Sequence, residues 1–306
     1  MAELEYSLGL IGYPLQKSLS PRLHGAALER MGLQGEFRLY PTPPMPEGAG
    51  QLAETLARMR RGEIQGLNVT IPHKQSVLAY LDRLTPVAQA IGAVNTIFSQ
   101  DGALVGDNTD APGFMTDLKR KLAEAGMVTQ AEGENGRKVL VLGAGGAARA
   151  VVYALWQDGW QVTVAARRKE QAAQLVASLL KQAGAALVER GSLDSIALDD
   201  EDLQAYLAPR VDQPKVIVNA SSAGMLPNIT TCPWPEELPL PGGVFVYDIV
   251  YKPPQTRLLS RAIEAGLPAA NGLGMLLEQA ALAFERWTGL PAPRQAMAAA
   301  LEGAIG

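Results

Sequence analysis

An apolar strand that runs directly into a glycine turn and then into a helix constrains this chain more than any other feature. Residues 139–149 read Val-Leu-Val-Leu-Gly-Ala-Gly-Gly-Ala-Ala-Arg. Glycines let the backbone approach a pyrophosphate, and the N–H groups and dipole of the following helix hold its charge. Tight turns without a ligand use the same residues, but the flanking strand and helix favour a dinucleotide site. The residues predicted to line it are Gly143, Ala144, Gly145, Gly146 and Ala147.

The end of the next predicted strand indicates which dinucleotide is bound. NAD-selective folds usually carry Asp or Glu at this point, where it accepts hydrogen bonds from the ribose 2′-hydroxyl. This chain instead reads Ala165-Ala166-Arg167-Arg168-Lys169, with three cations and no carboxylate. Because a guanidinium pairs with phosphate oxygens in a planar fork, the tip favours the 2′-phosphate of NADP. A solvated basic turn is the alternative.

Strand-like and helix-like segments alternate along the chain, which is typical of β-α-β units and mostly parallel sheets. The length of 306 residues predicts two domains. A first series of such units is followed by a second series that begins near Arg137, and the chain ends in helices. In the first series, one helix is predicted over residues 72–80, opened by Pro72.

Composition excludes several classes of function. The chain has 27 basic and 31 acidic residues and a net charge of −4, so nothing in its overall charge favours nucleic acid or an anionic membrane. One cysteine, Cys232, and two histidines exclude an internal disulfide and argue against a zinc site, so no metal is predicted. No apolar stretch reaches about 18 residues, and the acidic N-terminus lacks a signal pattern. We therefore expect a cytoplasmic protein with a small-molecule substrate.

Four polar clusters follow strands in the first third of the chain, where open α/β sheets place their ligands. Each alone is more commonly a capped turn, and Ser18 and Ser20 can cap the helix at Pro21. Lys74 is expected in the first helical turn after Pro72, where the dipole disfavours a cation, so it is either solvated or held for a purpose. Together the clusters offer hydroxyls, amides, a cation and a carboxylate, which suits a polyhydroxylated acid. They span residues 12–21, 68–74, 92–96 and 106–113.

The order of these motifs resembles that of the shikimate dehydrogenases, the shikimate/quinate dehydrogenase family. The four clusters and the glycine turn are followed by Asn219–Met225, Asp248–Leu259 and Gly274–Ala281, and the resemblance covers nearly the whole chain. It implies reversible, NADPH-dependent reduction of 3-dehydroshikimate to shikimate, a step of aromatic amino-acid biosynthesis. It also implies an α/β fold of two domains.

The resemblance implies that one domain interrupts the other. Residues 1–111 and 272–306 would form an α/β substrate domain completed by C-terminal helices. Residues 112–271 would form a Rossmann-like NADP-binding domain with a parallel sheet. Residues that exceed the length of many family members are placed at 128–136 and 184–212.

Matched positions imply the roles of individual side chains. Lys74 and Asp110 would form the catalytic pair, with Lys74 as the acid or base. The implied shikimate ligands are Ser18, Ser20, Thr70, Asn95, Asp110, Tyr251 and Gln279. The implied NADP ligands are Gly143, Ala144, Gly145, Gly146, Ala147, Ala166, Arg167, Arg168, Lys169, Gln171, Ile249 and Gly272.

Some positions depart from the family pattern. Ala166-Arg167-Arg168 replaces the usual Asn-Arg-Thr at the strand tip, Gln171 replaces a frequent arginine, and Gly25 replaces an asparagine. Three alternatives stay open at this point: a preference for quinate, the use of NAD, and a non-catalytic sensor of NADP or shikimate. Homodimer formation stays open as well.

Overall fold

A computed structural model of the chain describes residues 5–127, 137–182, 191–208 and 213–303. The chain divides into two compact units, which are called the first and second unit below. The first comprises Met1–Gly113 and Leu277–Gly306, and the second comprises Phe114–Leu276. The predicted boundaries at 111 and 271 fall two and five residues earlier than these changes of unit.

The strands belong to two six-stranded sheets, one in each unit. Those of the first unit are β1 (Glu5–Gly12), β2 (Gln34–Pro41), β3 (Gly66–Val69), β4 (Arg83–Leu84), β5 (Thr96–Gln100) and β6 (Ala103–Asp107). Those of the second are β7 (Lys138–Leu142), β8 (Gln161–Ala166), β9 (Leu193–Ala197), β10 (Val216–Asn219), β11 (Phe245–Asp248) and β12 (Ala269–Asn271).

Helices connect most of the strands, and both changes of unit occur inside a helix, in α4 and in α9. The described helices are α1 (Ser20–Arg30), α2 (Ala49–Arg60), a 3₁₀ helix (Ser76–Tyr80), α3 (Pro86–Ile91), α4 (Asp110–Glu124), α5 (Gly146–Gln157), α6 (Lys169–Gln182), α7 (Asp200–Leu207), α8 (Arg257–Glu264), α9 (Leu273–Thr288) and α10 (Arg294–Glu302). No helix in the described ranges is long and apolar enough to span a bilayer.

The first sheet is mixed, in the order β2–β1–β3–β5–β6–β4. Its register aligns the strand ends that carry the polar clusters. Ile11 at the end of β1 pairs with Val69 at the end of β3, and Asn68 pairs with Thr96 at the start of β5. Thr96 pairs in turn with Asp107 at the end of β6. The segments adjoining these ends therefore begin along one edge of the sheet.

The C-terminal helices complete the core of the first unit. Trp287 of α9 lies against Gly66 of β3 so closely that a Cβ there would be 2.5 Å from the indole ring. The indole Nε1 donates a hydrogen bond to the carbonyl oxygen of Ile97, at 3.0 Å, and α10 packs against α1. Residues far apart in the chain thus build one hydrophobic layer.

His24 of α1 is buried in the same layer. Its ring stacks on Phe37 with centroids 4.4 Å apart and planes 6° apart, and it lies 5.1 Å from the ring of Trp287. Burial lowers the pKa of His24 to about 3, and the side chain of Asn68 opposes this shift only in part. The imidazole is therefore neutral in the folded protein at any physiological pH.

We expect the free energy of unfolding to decrease in acid because of His24. The unfolded chain binds a proton at this residue near pH 6.5, whereas the folded chain does so near pH 3. The contribution of His24 is thus complete above pH 6.5 and falls by about 1.4 kcal/mol per pH unit below it. Urea unfolding of the wild type and of His24→Phe, each at pH 7 and pH 5, measures this difference. Equal pH dependence in the two proteins would contradict the prediction.

The second sheet is parallel throughout, in the order β12–β11–β10–β7–β8–β9. The strand order reverses between β7 and β10, and folds of this type bind a dinucleotide at that reversal. The glycine turn after residue 142 follows β7, and the basic tip follows β8. Both predicted cofactor segments thus leave the carboxyl ends of neighbouring strands.

The helix predicted over residues 72–80 is wrong. A turn follows β3, in which His73 N–H bonds to the carbonyl oxygen of Thr70, and only Ser76–Tyr80 form a short 3₁₀ helix. The carbonyl oxygen of Lys74 accepts a hydrogen bond from Val94 N–H at 2.8 Å, so it is used by another segment rather than by a helical turn. Lys74 is therefore not in the first turn of a helix.

The structure describes only part of the two predicted insertions. Residues 128–136 lie outside the described residues, as do 183–190 and 209–212. The described part of 184–212 contains β9 and α7, and α7 begins within the acidic run 199–202.

Candidate active site

A lysine–aspartate pair lies at the polar edge of the first sheet. The Nζ atom of Lys74 is 2.5 Å from Oδ2 of Asp110, and the side chains are 12% and 6% exposed. Lys74 comes from the turn after β3, and Asp110 is the first residue of α4. A charge-assisted hydrogen bond this short, largely withdrawn from water, suits a pair that passes a proton.

Asn95 holds the other carboxylate oxygen of Asp110. Its Nδ2 donates to Asp110 Oδ1 and to Thr109 Oγ1, both at 2.9 Å. Its Oδ1 accepts hydrogen bonds from Thr109 N–H at 2.7 Å and from the Thr96 hydroxyl at 3.0 Å. Because both oxygens of Asp110 are bonded, the orientation of the carboxylate is fixed.

Gln279 of α9 reaches the same cluster. Its Oε1 accepts a hydrogen bond of 3.4 Å from Asn95 Nδ2. The backbone of Gly113 lies directly against Gln279, since a Cβ at that glycine would be 2.7 Å from the Gln279 nitrogen. The structure thus brings together four of the predicted residues: Lys74, Asn95, Asp110 and Gln279.

His73 anchors the turn that carries Lys74. It is fully buried, with Nε2 at 2.8 Å from the carbonyl oxygen of Thr42 and Nδ1 at 3.1 Å from Ser76 Oγ. Thr42 N–H donates to the carbonyl oxygen of Gly12 at 2.8 Å. The turn is therefore tied to the ends of β1 and β2. Sequence reasoning assigned His73 no role.

The predicted hydroxyl ligands Ser18, Ser20 and Thr70 lie along the same edge. Thr70 is half-buried directly after β3. Ser18 Oγ accepts a hydrogen bond from Ser20 N–H at 3.3 Å, but the N-cap of α1 is Leu19 and no described side chain caps the helix, so the capping interpretation is wrong. Among the described residues, no hydrogen bond joins these three hydroxyls to Lys74 or Asp110.

The glycine turn of the second unit requires glycine at its first position. Gly143 adopts a φ of +117°, and a Cβ there would be 2.9 Å from the backbone nitrogen of Ser221. Gly145 precedes α5 without a side-chain cap, and the first turn of α5 has no acidic residue. Its free N–H groups and dipole can accept an anionic group.

The tip of β8 carries the predicted cations in two different states. Arg167 and Arg168 are exposed, and neither forms an ion pair with any residue that the structure describes. Lys169 begins α6, and its Nζ is 3.2 Å from Asp202 Oδ2 of α7. Ala166 is buried, and Gln171 is exposed. Two guanidinium groups are thus open to a phosphate.

Ile249 and Gly272, two further predicted cofactor residues, are in direct contact. A Cβ on Gly272 would be 2.1 Å from the carbonyl oxygen of Ile249. Tyr251 follows in the same segment, and burial raises the pKa of its phenol. Tyr251 belongs to the second unit, whereas the other predicted shikimate ligands belong to the first.

A buried aspartate without a predicted role fixes this segment. Asp248 Oδ1 accepts hydrogen bonds from Asn219 Nδ2 at 2.9 Å and from Val250 N–H at 3.0 Å, and Oδ2 accepts one from the Thr256 hydroxyl at 2.6 Å. Burial raises the pKa of Asp248 to about 6, although these hydrogen bonds act in the opposite direction. The matched motifs at 219–225 and 248–259 contained this signal.

Asn219 extends that network to the glycine turn. Its Oδ1 accepts hydrogen bonds from Ser221 N–H at 3.0 Å and from the Ser221 hydroxyl at 2.7 Å. Ser221 is the residue that lies against Gly143. The buried Asp248 and Asn219 therefore shape the backbone around two predicted cofactor segments.

The fold and the two sets of residues define an α/β oxidoreductase with a dinucleotide-binding unit and a separate unit that carries a Lys–Asp pair. Residues 10–97 match the family model of the shikimate dehydrogenase substrate-binding domain, and residues 272–302 match that of the shikimate 5′-dehydrogenase C-terminal domain. Residues 139–231 match the saccharopine dehydrogenase NADP-binding domain. The chain belongs to the shikimate dehydrogenase family.

Individual proteins show the same relationship. The chain is 38% identical to a shikimate dehydrogenase (NADP(+)) of Symbiobacterium thermophilum, over 97% of this chain and 95% of that one. It is similar to the crystal structure of Thermus thermophilus shikimate 5-dehydrogenase in complex with NADP(H) and shikimate, with a TM-score of 0.77, 35% identity and coverage of 98% and 99%. It is also similar to the structure of the quinate dehydrogenase of Corynebacterium glutamicum in complex with NAD, with a TM-score of 0.80 and 28% identity. That similarity covers 98% of this chain and 100% of the other. The predicted family and fold class are confirmed.

Proposed function

We propose that this chain is an NADP-dependent shikimate dehydrogenase that reversibly reduces 3-dehydroshikimate to shikimate, in the synthesis of aromatic amino acids. The Lys74–Asp110 contact carries the proposal, because membership of a family does not by itself require an intact catalytic pair. The exposed Arg167 and Arg168 support NADP as the cofactor, and the Symbiobacterium relative is named for the same activity.

Lys74 moves the proton in the proposed reaction. NADPH, when bound, supplies the hydride that reduces the ketone carbon. Lys74 Nζ donates a proton to the carbonyl oxygen as it becomes a hydroxyl, and takes it back in the reverse direction. Asp110 Oδ2, which lies 2.5 Å from Lys74 Nζ, orients the ammonium group and also accepts a hydrogen bond from the substrate hydroxyl. Asn95 keeps Asp110 in that orientation through Oδ1.

The remaining predicted residues bind and orient in this proposal. The hydroxyl, amide and phenol groups assigned to shikimate suit a ligand with several hydroxyls and one carboxylate. The glycine turn and the N-terminus of α5 hold the pyrophosphate, and the tip of β8 holds the 2′-phosphate. The proposed shikimate ligands are Ser18, Ser20, Thr70, Asn95, Tyr251 and Gln279.

Initial rates with two acids and two dinucleotides test the proposal. We expect purified protein to reduce NADP⁺ with shikimate at a higher kcat/KM than with quinate, and NADP⁺ to be preferred over NAD⁺. A preference for quinate with NAD⁺ would favour the second candidate function, which the similarity to the Corynebacterium enzyme suggests. Binding of NADPH without shikimate oxidation would show a sensor instead.

The proposal includes a cytoplasmic location and a small-molecule substrate. It includes no nucleic-acid or membrane partner. The net charge of −4 supports it, since such a chain has no general attraction for polyanions. Cys232 is a free thiol, which suits a reducing compartment.

A further inference from the structure

We propose that Asp202 withholds Lys169 from the 2′-phosphate of the dinucleotide, so that Arg167 and Arg168 alone bind that group. The inference rests on the NADP-binding function proposed above and concerns how this chain sets its preference for NADP over NAD. It also explains how a tip with three adjacent cations can present only two of them.

The strand next to β8 brings Asp202 to the tip. Leu198 N–H, directly after β9, donates to the carbonyl oxygen of Ala166 at 3.0 Å. Asp199 caps α7 by accepting a hydrogen bond from Asp202 N–H at 2.9 Å. Because these hydrogen bonds fix the start of α7 beside the end of β8, the Asp202 carboxylate has a defined position there.

The carboxylate itself is anchored by the backbone. Asp202 Oδ2 accepts a hydrogen bond from Ala197 N–H at 2.8 Å and lies 3.2 Å from Lys169 Nζ. The pKa of Asp202 is lowered, first by the Ala197 hydrogen bond and then by Lys169, so the group is ionised at neutral pH. The flexible lysine is therefore the partner that turns toward the aspartate.

The two arginines differ from Lys169 in chemistry as well as in pairing. A guanidinium binds phosphate oxygens through two parallel N–H donors, whereas an ammonium group is a strongly hydrated point charge. Arg167 and Arg168 have no acidic partner among the described residues, and Lys169 has one. A ligand phosphate must displace a carboxylate to reach Lys169, but it meets no such competition at the arginines.

The competing interpretation is an ordinary exposed ion pair. Such pairs contribute little to stability, and their side chains exchange partners readily. Lys169 and Asp202 are 58% and 33% exposed, so Lys169 would in that case leave Asp202 as soon as a phosphate arrives. Asp202 would then influence the cofactor only as one negative charge among several.

A double-mutant cycle separates the two interpretations. Asp202→Asn keeps an oxygen for Ala197 N–H but no longer holds the ammonium group. We expect this variant to bind adenosine 2′-monophosphate about three- to tenfold more tightly than the wild type in calorimetry at low salt. In the Lys169→Gln background the same change should give no gain, since the residue it releases is absent. KM for NADP⁺ should fall in parallel, and KM for NAD⁺ should not change.

Glu201→Gln is the matched control, because it removes an exposed carboxylate from the same helical turn without a contact to Lys169. We expect it to leave the affinity for adenosine 2′-monophosphate at the wild-type value. An equal gain in Glu201→Gln, a gain that persists in the Lys169→Gln background, or an unchanged affinity in Asp202→Asn would each overturn the inference. Failure of the wild type to oxidise shikimate with NADP⁺ would instead remove the proposed function.

Discussion

Replacing Lys74 with alanine is expected to lower kcat for shikimate oxidation by about 10²–10⁴-fold, with a smaller change in KM. The ammonium group is the only cation in contact with Asp110 among the described side chains, and it lies at the polar edge of the first sheet. In the proposed mechanism Lys74 exchanges the proton with the substrate oxygen, so its removal leaves that step without its acid or base. Steady-state rates with saturating NADP⁺ measure the effect.

Two further measurements make the Lys74 result specific. Removing this largely buried cation leaves Asp110 without its charged partner and can destabilise the protein, so thermal unfolding must show that Lys74→Ala is folded at the assay temperature. Lys215→Ala, which removes an exposed lysine directly before β10, should keep the wild-type kcat. A kcat near the wild-type value in folded Lys74→Ala would exclude the proposed role.

Replacing Arg167 with aspartate is expected to raise KM for NADP⁺ by about tenfold to a hundredfold, as loss of one charged hydrogen-bonding group predicts. KM for NAD⁺ should change little or decrease, because a carboxylate at this strand end can accept hydrogen bonds from a ribose 2′-hydroxyl. The ratio of the two KM values isolates the 2′-phosphate from every interaction that both dinucleotides make.

Lys181→Glu is the matched control for Arg167→Asp. It also replaces a positive side chain with a negative one, but at an exposed position in the last turn of α6. That position is about 18 Å along the helix from Lys169. Its KM values should stay at the wild-type level. Equal effects of Arg167→Asp on NADP⁺ and NAD⁺ would show that Arg167 does not recognise the 2′-phosphate.

Local patterns predicted the second unit well. The strand–glycine–helix segment and the basic tip lie where expected, because each depends on neighbours within about one helical turn. Three of the five strand pairs of the first sheet are parallel, which agrees with the expected mostly parallel sheet, whereas β5 is antiparallel to both β3 and β6. Asp101 and Gly102 connect β5 to β6 with φ values of 53° and 76°. Asp-Gly between two apolar runs is a strong hairpin signal that could have predicted this pair.

Contacts between distant segments explain what sequence reasoning missed. Asn219 and Asp248 are 29 residues apart, His73 and Thr42 are 31 apart, and Lys169 and Asp202 are 33 apart. No local pattern brings such residues together, since only the completed sheet does so. The error at residues 72–80 has the same origin, because Val94 takes the carbonyl oxygen that a helix there would use.

The interrupted chain order of the first unit has a consequence for synthesis on the ribosome. Gln279, Trp287 and α10 are synthesised only after the whole second unit. Until then, the face of β3 that Trp287 covers in the finished protein lacks its partner. The second unit is contiguous in sequence and can fold once it has emerged, whereas the nascent first unit exposes apolar surface until the C-terminal helices have also left the ribosome.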